Sequence, residues 1–315
     1  MQNQNRSLFN STILQTPHGD YQILCTIEFN SYVSIHHAFS LSTHKKVVIK
    51  FVSSEYEFYE NSIQSCEIVR TFSHPNIIKI HDYFILTNES SNDLLVIIMD
   101  DYSDIDMFYY LRDYGRLSEF EALSIMKQLS SSLLQISQQG INHRRLIPEN
   151  ILVRRDCYSN RECTQFQVAV TGFTSSSLIN SQYSSIQTSN LINDDPYAAP
   201  ELISTKRSST LTDVYSLGII FYQLLIGMTP REYNQTSIDF NEDPFEGEVW
   251  NTISSETKDL IKGMIDVNPN TRLTPEEIVN HSALSNINAN KIEHQRSLFE
   301  FLDDIQFDEL DYEMT

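Results

Sequence analysis

Glycine is scarce in this sequence, with 8 among 315 residues. None lies between Gly19 and Gly115, although average usage of about 7% would place several glycines there. Loops that cradle phosphate groups use glycine because a side chain would block the close approach of the backbone. The sequence therefore excludes a glycine-rich phosphate loop between those two residues.

Cysteine is also scarce, and the four cysteines are Cys25, Cys66, Cys157 and Cys163. So few and such scattered residues exclude a disulfide framework and predict reduced thiols. Cys157 and Cys163 share a polar segment, but no histidine stands at ligand spacing beside them. A metal site there is a weaker interpretation than a plain polar insertion.

No hydrophobic run is long enough to cross a membrane. The least polar segment, residues 217–228, is interrupted by Gln223 and falls short of the roughly 20 apolar residues that a spanning helix needs. Residues 1–20 lack the apolar core of a signal peptide. We expect a soluble cytoplasmic protein with no membrane partner.

Basic residues are few, with 22 against 42 acidic ones, a formal net charge of −20 and a pI near 4.7. Such a surface repels nucleic acid and anionic lipid, so neither is an expected partner, whereas a basic protein fits better. Hydrophobic residues form 40% of the chain and aromatic residues 11%, which is too much for a disordered chain. A globular protein follows.

The pattern of the chain changes near residue 102. Before it, short apolar runs separated by polar turns predict strands, with one helix over residues 56–72. After it, apolar residues spaced by three or four predict a long helix from about Leu117 that ends near Gly140, and further helices over 213–227 and 255–266. The remaining predicted segments are a loose polar extension at 1–20, a polar hairpin tip at 154–165, and a Ser, Thr and Asn-rich loop at 174–195.

Eight motifs then follow one another in a familiar order. They are VVIK ending at Lys50, HPNII at 74–78, IIMDDY at 97–102, HRRLIPENILV at 143–153, VTGFT at 170–174, YAAPEL at 197–202, DVYSLG at 213–218 and NPNTRLTPEEIVNHSAL at 268–284. This series resembles the eukaryotic-type (serine/threonine) protein kinase family.

The resemblance implies an α+β protein with the two-lobed protein kinase fold, in which the N-lobe is β-rich with one helix and the C-lobe is mainly α-helical. The domain would cover residues 21–285, with the N-lobe at 21–101 and the C-lobe at 102–285. Residues 1–20 would be a polar N-terminal extension and residues 286–315 an acidic C-terminal tail.

Several positions to which the family assigns phosphoryl-transfer chemistry have changed. Glu28, Asn30 and Val33 stand where the family has glycines over the phosphates, so an ordinary β-hairpin that covers nothing is the favoured interpretation. Ser65 stands where a glutamate would pair with the strand lysine. Glu67 is near, but two residues of helix turn a side chain about 200°, to the wrong face.

Compared with the family's pattern, the catalytic loop has also lost the residues that carry out phosphoryl transfer. Arg145 replaces the aspartate that accepts the substrate proton, and arginine stays protonated and cannot act as a base. Ile147 replaces the lysine that neutralises the γ-phosphate, and Gly172 replaces the aspartate that binds magnesium. We expect no catalytic residue at Arg145, Ile147, Gly172 or Ser65.

The nucleotide-binding positions of the family that this sequence keeps are expected to be vestigial. Lys50 would contact phosphates, Met99 is the gatekeeper, Asp100 begins the hinge, and Asn150 is one possible metal ligand. Val48 replaces a smaller alanine and narrows the adenine slot. We expect ATP binding to be weak or absent, magnesium to be unlikely, and no metal or other cofactor. An unpaired Lys50 ammonium should find another acid or reach water.

The positions that hold the fold together are kept. In the family, His143 and Phe173 pack in the spine, Asp213 anchors the catalytic-loop backbone, and the two remaining positions, Glu201 and Arg272, form an ion pair. A scaffold that survives without its transfer groups is typical of a pseudokinase, a degenerate member of the family. The favoured hypothesis is therefore a catalytically inactive protein-binding scaffold or allosteric regulator in signalling.

Three alternatives stay open. A weak or atypical serine/threonine kinase could transfer phosphate through non-standard residues such as Glu149. The paired arginines 144 and 145 could receive a phosphate from a modified serine in the 174–195 loop. Residues 293–315, with eight acids and one arginine, could bind a partner, such as an active kinase or a basic protein, or dock as a helix on their own C-lobe.

Overall fold

The computed structural model describes residues 12–87, 93–102, 105–157, 164–173, 177–178, 195–234, 245 and 247–285. The acidic tail at 286–315, Cys163 and nearly all of the serine-rich loop at 174–194 lie outside the described residues. The predictions made for those three places are therefore not addressed by the structure. The described part forms two lobes that meet near Asp100.

The first lobe is an antiparallel sheet of six strands in the order β1-β2-β3-β4-β6-β5. The strands are β1 (Ile13–Thr16), β2 (Gly19–Phe29), β3 (Val33–Ser40), β4 (Lys46–Ser53), β5 (Ile80–Thr87) and β6 (Asp93–Asp100). Alternate side chains point to opposite faces. The outer face closes over Ile49 and Val96, whereas the inner face contributes Val52, Leu95 and Ile97 to a core that continues into the second lobe.

One helix, α1 (Tyr59–Val69), packs against the inner face of the sheet. Its buried residues recur at three- and four-residue spacing, the period of one helix face. The helix predicted over 56–72 is confirmed with a shorter span. Tyr56 lies in the turn before it, and the helix ends at Arg70, before the HPN sequence.

The second lobe is mainly helical. Its helices are α2 (Met107–Tyr114), α3 (Glu119–Gln138), α4 (Pro200–Thr205), α5 (Thr210–Ile226), α6 (Pro230–Asn234), α7 (Ser255–Met264), α8 (Pro275–Val279) and α9 (Ser282–Ser285). Two short antiparallel pairs join β7 (Ile141–Asn142) to β10 (Ser177–Leu178) and β8 (Ile151–Cys157) to β9 (Thr164–Val170).

Helices α3 and α5 form the centre of this lobe. The Ser118 hydroxyl and the Glu121 carboxylate form a capping box that begins α3, as the sequence pattern S-x-x-E favours. Helix α5 is buried around almost its whole circumference, which is typical of a helix surrounded by other elements. No helix in the described part of the chain is long and apolar enough to cross a bilayer.

Two expectations about local structure were wrong. Residues 13–20 are not loose, because β1 pairs with β2 from Ile13 opposite Gln22 to Thr16 opposite Gly19, so the sheet begins before residue 21. The described ends of the polar segment at 154–165 are strand and not loop, since β8 continues to Cys157 and β9 begins at Thr164. In both places backbone pairing outweighs the polar composition that suggested a loop.

Candidate functional site

A cleft lies between the lobes. Its upper wall is the inner face of β2, β3 and β4, and its lower wall consists of residues 143–150, which include a 3₁₀ turn at Pro148–Asn150, and residues 171–173.

The turn between β2 and β3 covers the upper wall. The Asn30 side-chain oxygen accepts hydrogen bonds from the backbone N–H groups of Tyr32 and Val33, at 2.9 and 2.8 Å. The Asn30 N–H also donates to the Val33 carbonyl at 2.9 Å. These bonds close a tight turn without glycine, so the backbone N–H groups of Asn30, Tyr32 and Val33 are already hydrogen-bonded within the hairpin.

Lys50 lies on the inner face of β4 and is half-buried. Burial lowers the pKa of its ammonium group, and the negative charge of Glu28 acts in the opposite direction. The pairing of the strands explains this, because Glu28 lies opposite Ile35 and Ile35 opposite Lys50. Glu28, on the same face of the sheet, is thus an acid outside α1 whose charge acts on Lys50, and the expectation that the hairpin covers nothing stays a prediction.

Ser65, in the place of the α1 glutamate, contacts the segment around Phe173. Its hydroxyl is within hydrogen-bonding distance of the Phe173 carbonyl and lies 2.7 Å from the Asn61 carbonyl of its own helix. Glu67 is exposed, as its position on the helix predicted. Helix α1 is therefore tied to the segment around Phe173 by a neutral contact that does not involve the lysine.

Asp213, at the start of α5, anchors the loop that contains Arg145. Its two carboxylate oxygens accept the backbone N–H groups of His143 and Arg144 at 2.7 and 2.8 Å. Burial raises the pKa of Asp213 to about 7, although these two hydrogen bonds and the Arg144 charge favour the ionised form. The role that the resemblance implied for Asp213 matches this geometry.

His143 is fully buried below the loop. Its Nε2 atom lies 2.8 Å from the Thr171 carbonyl and must donate to it, and Nδ1 lies 3.3 Å from the Arg145 N–H and accepts. Burial lowers the pKa of the imidazole to about 4. The ring also packs edge-on against Phe173, with 4.6 Å between ring centroids, so His143 is a neutral packing residue.

Acid is expected to destabilise the protein through His143. Because the folded-state pKa is about 4 and the ordinary value 6.5, the folded state binds fewer protons than the unfolded chain. The stability due to the neutral ring is complete above pH 6.5 and is lost as the pH falls towards 4, by about 3 kcal/mol at most.

Urea unfolding of the wild type and of His143→Phe between pH 4 and 7 measures this effect. The free energy of unfolding of the wild type, minus that of the variant, should decrease as the pH is lowered from 7 to 4. The subtraction removes the opposite contribution of Asp213, whose raised pKa lowers stability as the pH rises from 3.8 towards 7. A difference that does not change with pH would contradict the assignment.

Arg145 occupies the place of the catalytic base and is exposed in the cleft. Its charge acts on the Tyr56 phenol and on the Asp195 carboxyl, whose pKa is raised by burial and lowered by the Tyr197 N–H and by Arg145. Neither Tyr56 nor Asp195 was singled out from the sequence. Ile147 is half-buried and supplies no charge. The lower wall therefore offers a fixed cation where proton abstraction would need a base.

The Asn150 side chain packs directly against the Cα atom of Gly172. Gly172 has a φ of +79°, and a Cβ atom added to it would lie 2.1 Å from Oδ1 of Asn150. The Asn150 amide is itself held by a 2.9 Å hydrogen bond from Nδ2 to the Arg145 carbonyl. The side chain expected to bind a metal thus occupies the space in which an aspartate at position 172 would begin.

At the hinge end of the cleft, β4 and β6 bring Val48 and Met99 side by side. Val48 is buried and pairs in register with Met99, which packs on the shared core. The Asp100 carboxylate lies 2.6 Å from Nε2 of His81 and so points away to the surface. The narrowed adenine slot expected from Val48 stays a prediction.

The remaining structural residues lie where the resemblance implied. Phe173 packs between His143 and Phe72, with 6.2 Å between the two phenyl centroids. The Arg272 guanidinium donates to both carboxylate oxygens of Glu201 at 2.6 and 2.9 Å. These contacts link the C-lobe below the cleft into one unit.

A divalent metal does not fit this site. Magnesium prefers carboxylate oxygens, and the described residues contain no group of three or more His, Cys, Asp or Glu side chains that could hold a metal. Asn150 supplies one amide oxygen, and that oxygen faces Gly172. Of the two cysteines considered as ligands, Cys163 lies outside the described residues.

The two lobes, the lysine strand, the anchored loop and the Phe173 segment together define the protein kinase fold, an α+β architecture. A family model for the protein kinase domain matches residues 30–284. The chain therefore belongs to the protein kinase domain family. The fold class predicted from the motifs is confirmed.

The chain is similar to several named kinases. It is 28% identical over 268 residues to calcium-dependent protein kinase 5 of Plasmodium falciparum, covering 83% of this chain and 44% of that protein. It is 25% identical over 288 residues to the serine/threonine-protein kinase cds1 of Schizosaccharomyces pombe, covering 85% of this chain and 59% of that protein. The chain thus spans about half the length of these relatives.

A solved structure agrees on the fold. The crystal structure described as the Rad53 kinase domain and SCD2 superposes with a TM-score of 0.60 at 22% identity, covering 79% of this chain and 86% of that one. At this identity the likeness supports the fold alone.

Proposed function

We propose that this chain is a catalytically inactive kinase-like domain, a pseudokinase, that acts as a protein-binding scaffold or allosteric regulator. The observation that supports this most directly is the contact between Asn150 and Gly172. It fills the place of the metal-binding carboxylate with a neutral amide, whose Nδ2 atom donates to the Arg145 carbonyl. Without a metal, the charge that develops on a transferred phosphoryl group is not neutralised.

Two further features of the cleft support the proposal. Arg145 presents a permanent cation at the position of the base and cannot take a proton from a hydroxyl group. Glu28 places a negative charge on the wall that would face phosphates. Each missing electrostatic interaction typically costs on the order of 3 kcal/mol of transition-state stabilisation, so several together leave a very low rate.

The second candidate is a weak or atypical serine/threonine protein kinase. It is favoured by Lys50, which still lies on the cleft wall, by the exposed Glu149 carboxylate beside Asn150, and by the named activities of the relatives. Transfer would then use non-standard residues. The missing metal site makes this the less favoured proposal.

Transfer of labelled phosphate from ATP to generic protein acceptors distinguishes the two. We expect the wild type and Lys50→Ala to give the same background signal, because in a pseudokinase Lys50 does not bind the phosphates of a nucleotide during transfer. A wild-type signal that Lys50→Ala abolishes would support the atypical kinase and reject the pseudokinase.

The proposed partners are proteins, such as active kinases or basic proteins, that bind the C-lobe surface or residues 293–315. The latter segment has one arginine against eight acids, a net charge of −7 with histidine neutral. Affinity capture with the full chain and with a variant lacking 293–315 tests whether this segment binds a partner. Loss of a specific partner on truncation would assign binding to the segment, and an unchanged partner set would assign it to the folded domain.

A further inference from the structure

A surface cavity of about 270 Å³ lies beside the hinge, between the segment that follows α1 and the end of β6. Its lining consists of residues 72–75 and 77–79 from the first segment, without Asn76, and of Asp100 and Tyr102 from the second. None of these residues belongs to β2, β3 or β4, or to the lower wall of the cleft. This hinge-side cavity therefore shares only the hinge with the cleft.

The inner wall of the hinge-side cavity is apolar and held in place by backbone pairing. Phe72, Ile77 and Ile78 are all buried. The Ile78 N–H donates to the Val170 carbonyl at 2.9 Å, and the Val170 N–H donates to the Asn76 carbonyl at 2.8 Å. Strand β9 thus fixes the segment that forms this wall, and a preformed apolar wall is typical of small-molecule sites.

Tyr102 adds an aromatic residue to the lining. It is half-buried, and the Arg154 guanidinium lies 5.0 Å from the centroid of its ring. A cation stacked on an aromatic ring stabilises the position of that ring. Pockets for drug-sized ligands usually have about 300 to 1,000 Å³, so a cavity slightly below this range suits a molecule with a single ring.

Two polar groups at the cavity already have partners. The His74 ring uses both nitrogens, since Nδ1 accepts the Asn76 N–H at 3.1 Å and Nε2 lies 3.0 Å from the Ser131 hydroxyl. The Asp100 carboxylate lies 2.6 Å from Nε2 of His81. Neither His74 nor Asp100 therefore needs a bound molecule to satisfy it.

Two other polar groups at the cavity are donors that remain available. Within the ranges that the structure describes, the Lys79 ammonium forms no ion pair and the Ser73 hydroxyl forms no hydrogen bond. Both side chains are exposed, so a molecule in the cavity can reach them. An ammonium group has three N–H donors and no acceptor, and a hydroxyl group can also donate. The complementary ligand group is therefore an acceptor with negative charge.

We propose that the hinge-side cavity binds a small aromatic carboxylate. The ring of the ligand packs against Phe72, Ile77 and Tyr102. Its carboxylate accepts hydrogen bonds from Lys79 and Ser73, and the bound molecule connects the segment after α1 to the hinge. This inference does not rest on the proposed function, because the cavity lies outside the walls that decide whether phosphate is transferred.

Ligand-observed fluorine NMR of the full chain with p-trifluoromethylbenzoate tests the site. The neutral p-trifluoromethylbenzamide is the matched probe without the negative charge. Lys79→Met removes the ammonium group and keeps an apolar side chain, and Lys45→Met makes the same change at an exposed lysine in the turn between β3 and β4. Lys50→Met shows whether the probe binds in the cleft instead. Thermal melting identifies any variant that does not fold.

We expect the wild type and Lys45→Met to bind the benzoate equally. In Lys79→Met its dissociation constant should rise on the order of tenfold, the change that the loss of one charge-assisted hydrogen bond gives. The benzamide should bind the wild type more weakly than the benzoate, and Lys79→Met should not alter its affinity. Three results would overturn the site: no binding of the benzoate to the wild type, equal affinity in the Lys79 and Lys45 variants, or loss of binding in Lys50→Met.

Discussion

Replacing Arg272 with alanine is expected to lower the free energy of unfolding by about 3 to 5 kcal/mol, the largest loss of stability from any single substitution considered. The Arg272 side chain is fully buried, and it donates to both oxygens of Glu201. It also donates to the backbone carbonyls of Leu211 and Asp266, at 2.7 and 2.8 Å. Alanine leaves a carboxylate and two carbonyls without their donor, and desolvated acceptors without donors are costly.

Chemical denaturation of the two proteins measures this loss. Arg112→Ala is the matched control, because Arg112 forms its ion pair with Asp113 on the surface, and we expect little change there. If Arg272→Ala and Arg112→Ala unfold at the same denaturant concentration, the buried pair does not hold the C-lobe together as described.

Restoring the family's aspartate at position 172 is expected to damage the protein without restoring metal binding. The φ of +79° at Gly172 is strained for any other residue, at a cost of about 1 to 3 kcal/mol. The new Cβ must also displace Asn150, which breaks the hydrogen bond to the Arg145 carbonyl. Gly172→Asp should therefore lower stability by more than backbone strain alone.

Gly115 provides a control for that comparison. It has the same φ of +79°, but a Cβ there would meet nothing within 4 Å. Gly115→Asp shows the cost of an aspartate at a positive φ where the side chain meets nothing. The contact with Asn150 is isolated by introducing Gly172→Asp into the wild type and into Asn150→Ala, where the loss of stability should be smaller. An equal loss in the two backgrounds would contradict the steric argument.

Much of the architecture could be predicted because it depends on motifs that are local in sequence. The helix α3 follows from a capping box and a regular apolar period, and the family's motif order fixes which segments meet. The contact of Asp213 with the loop at His143 and the pair of Glu201 with Arg272 could be expected from the same order. The strand β1 could not be predicted, because it has only four residues and lies in a mostly polar segment that pairing with β2 stabilises.

The decisive details of the cleft depend on backbone geometry that composition does not reveal. A bulge after Thr26 sends Glu28 to the inner face, and simple alternation along the strand gives no sign of it. The contact between Gly172 and Asn150 depends on a positive φ and joins residues far apart in the chain. The sequence predicted that Ser65 and Glu67 lie on different faces of α1. It did not predict the contact of Ser65 with Phe173.

The central claim, that the cleft has no functional metal site, is tested most directly by the dependence of ATP binding on magnesium. Thermal melting of the full chain is measured with ATP alone and with ATP and magnesium, because a ligand that binds the folded state raises the melting temperature. We expect the same melting temperature in both conditions. A clear rise that requires magnesium would show a working metal site and contradict the account.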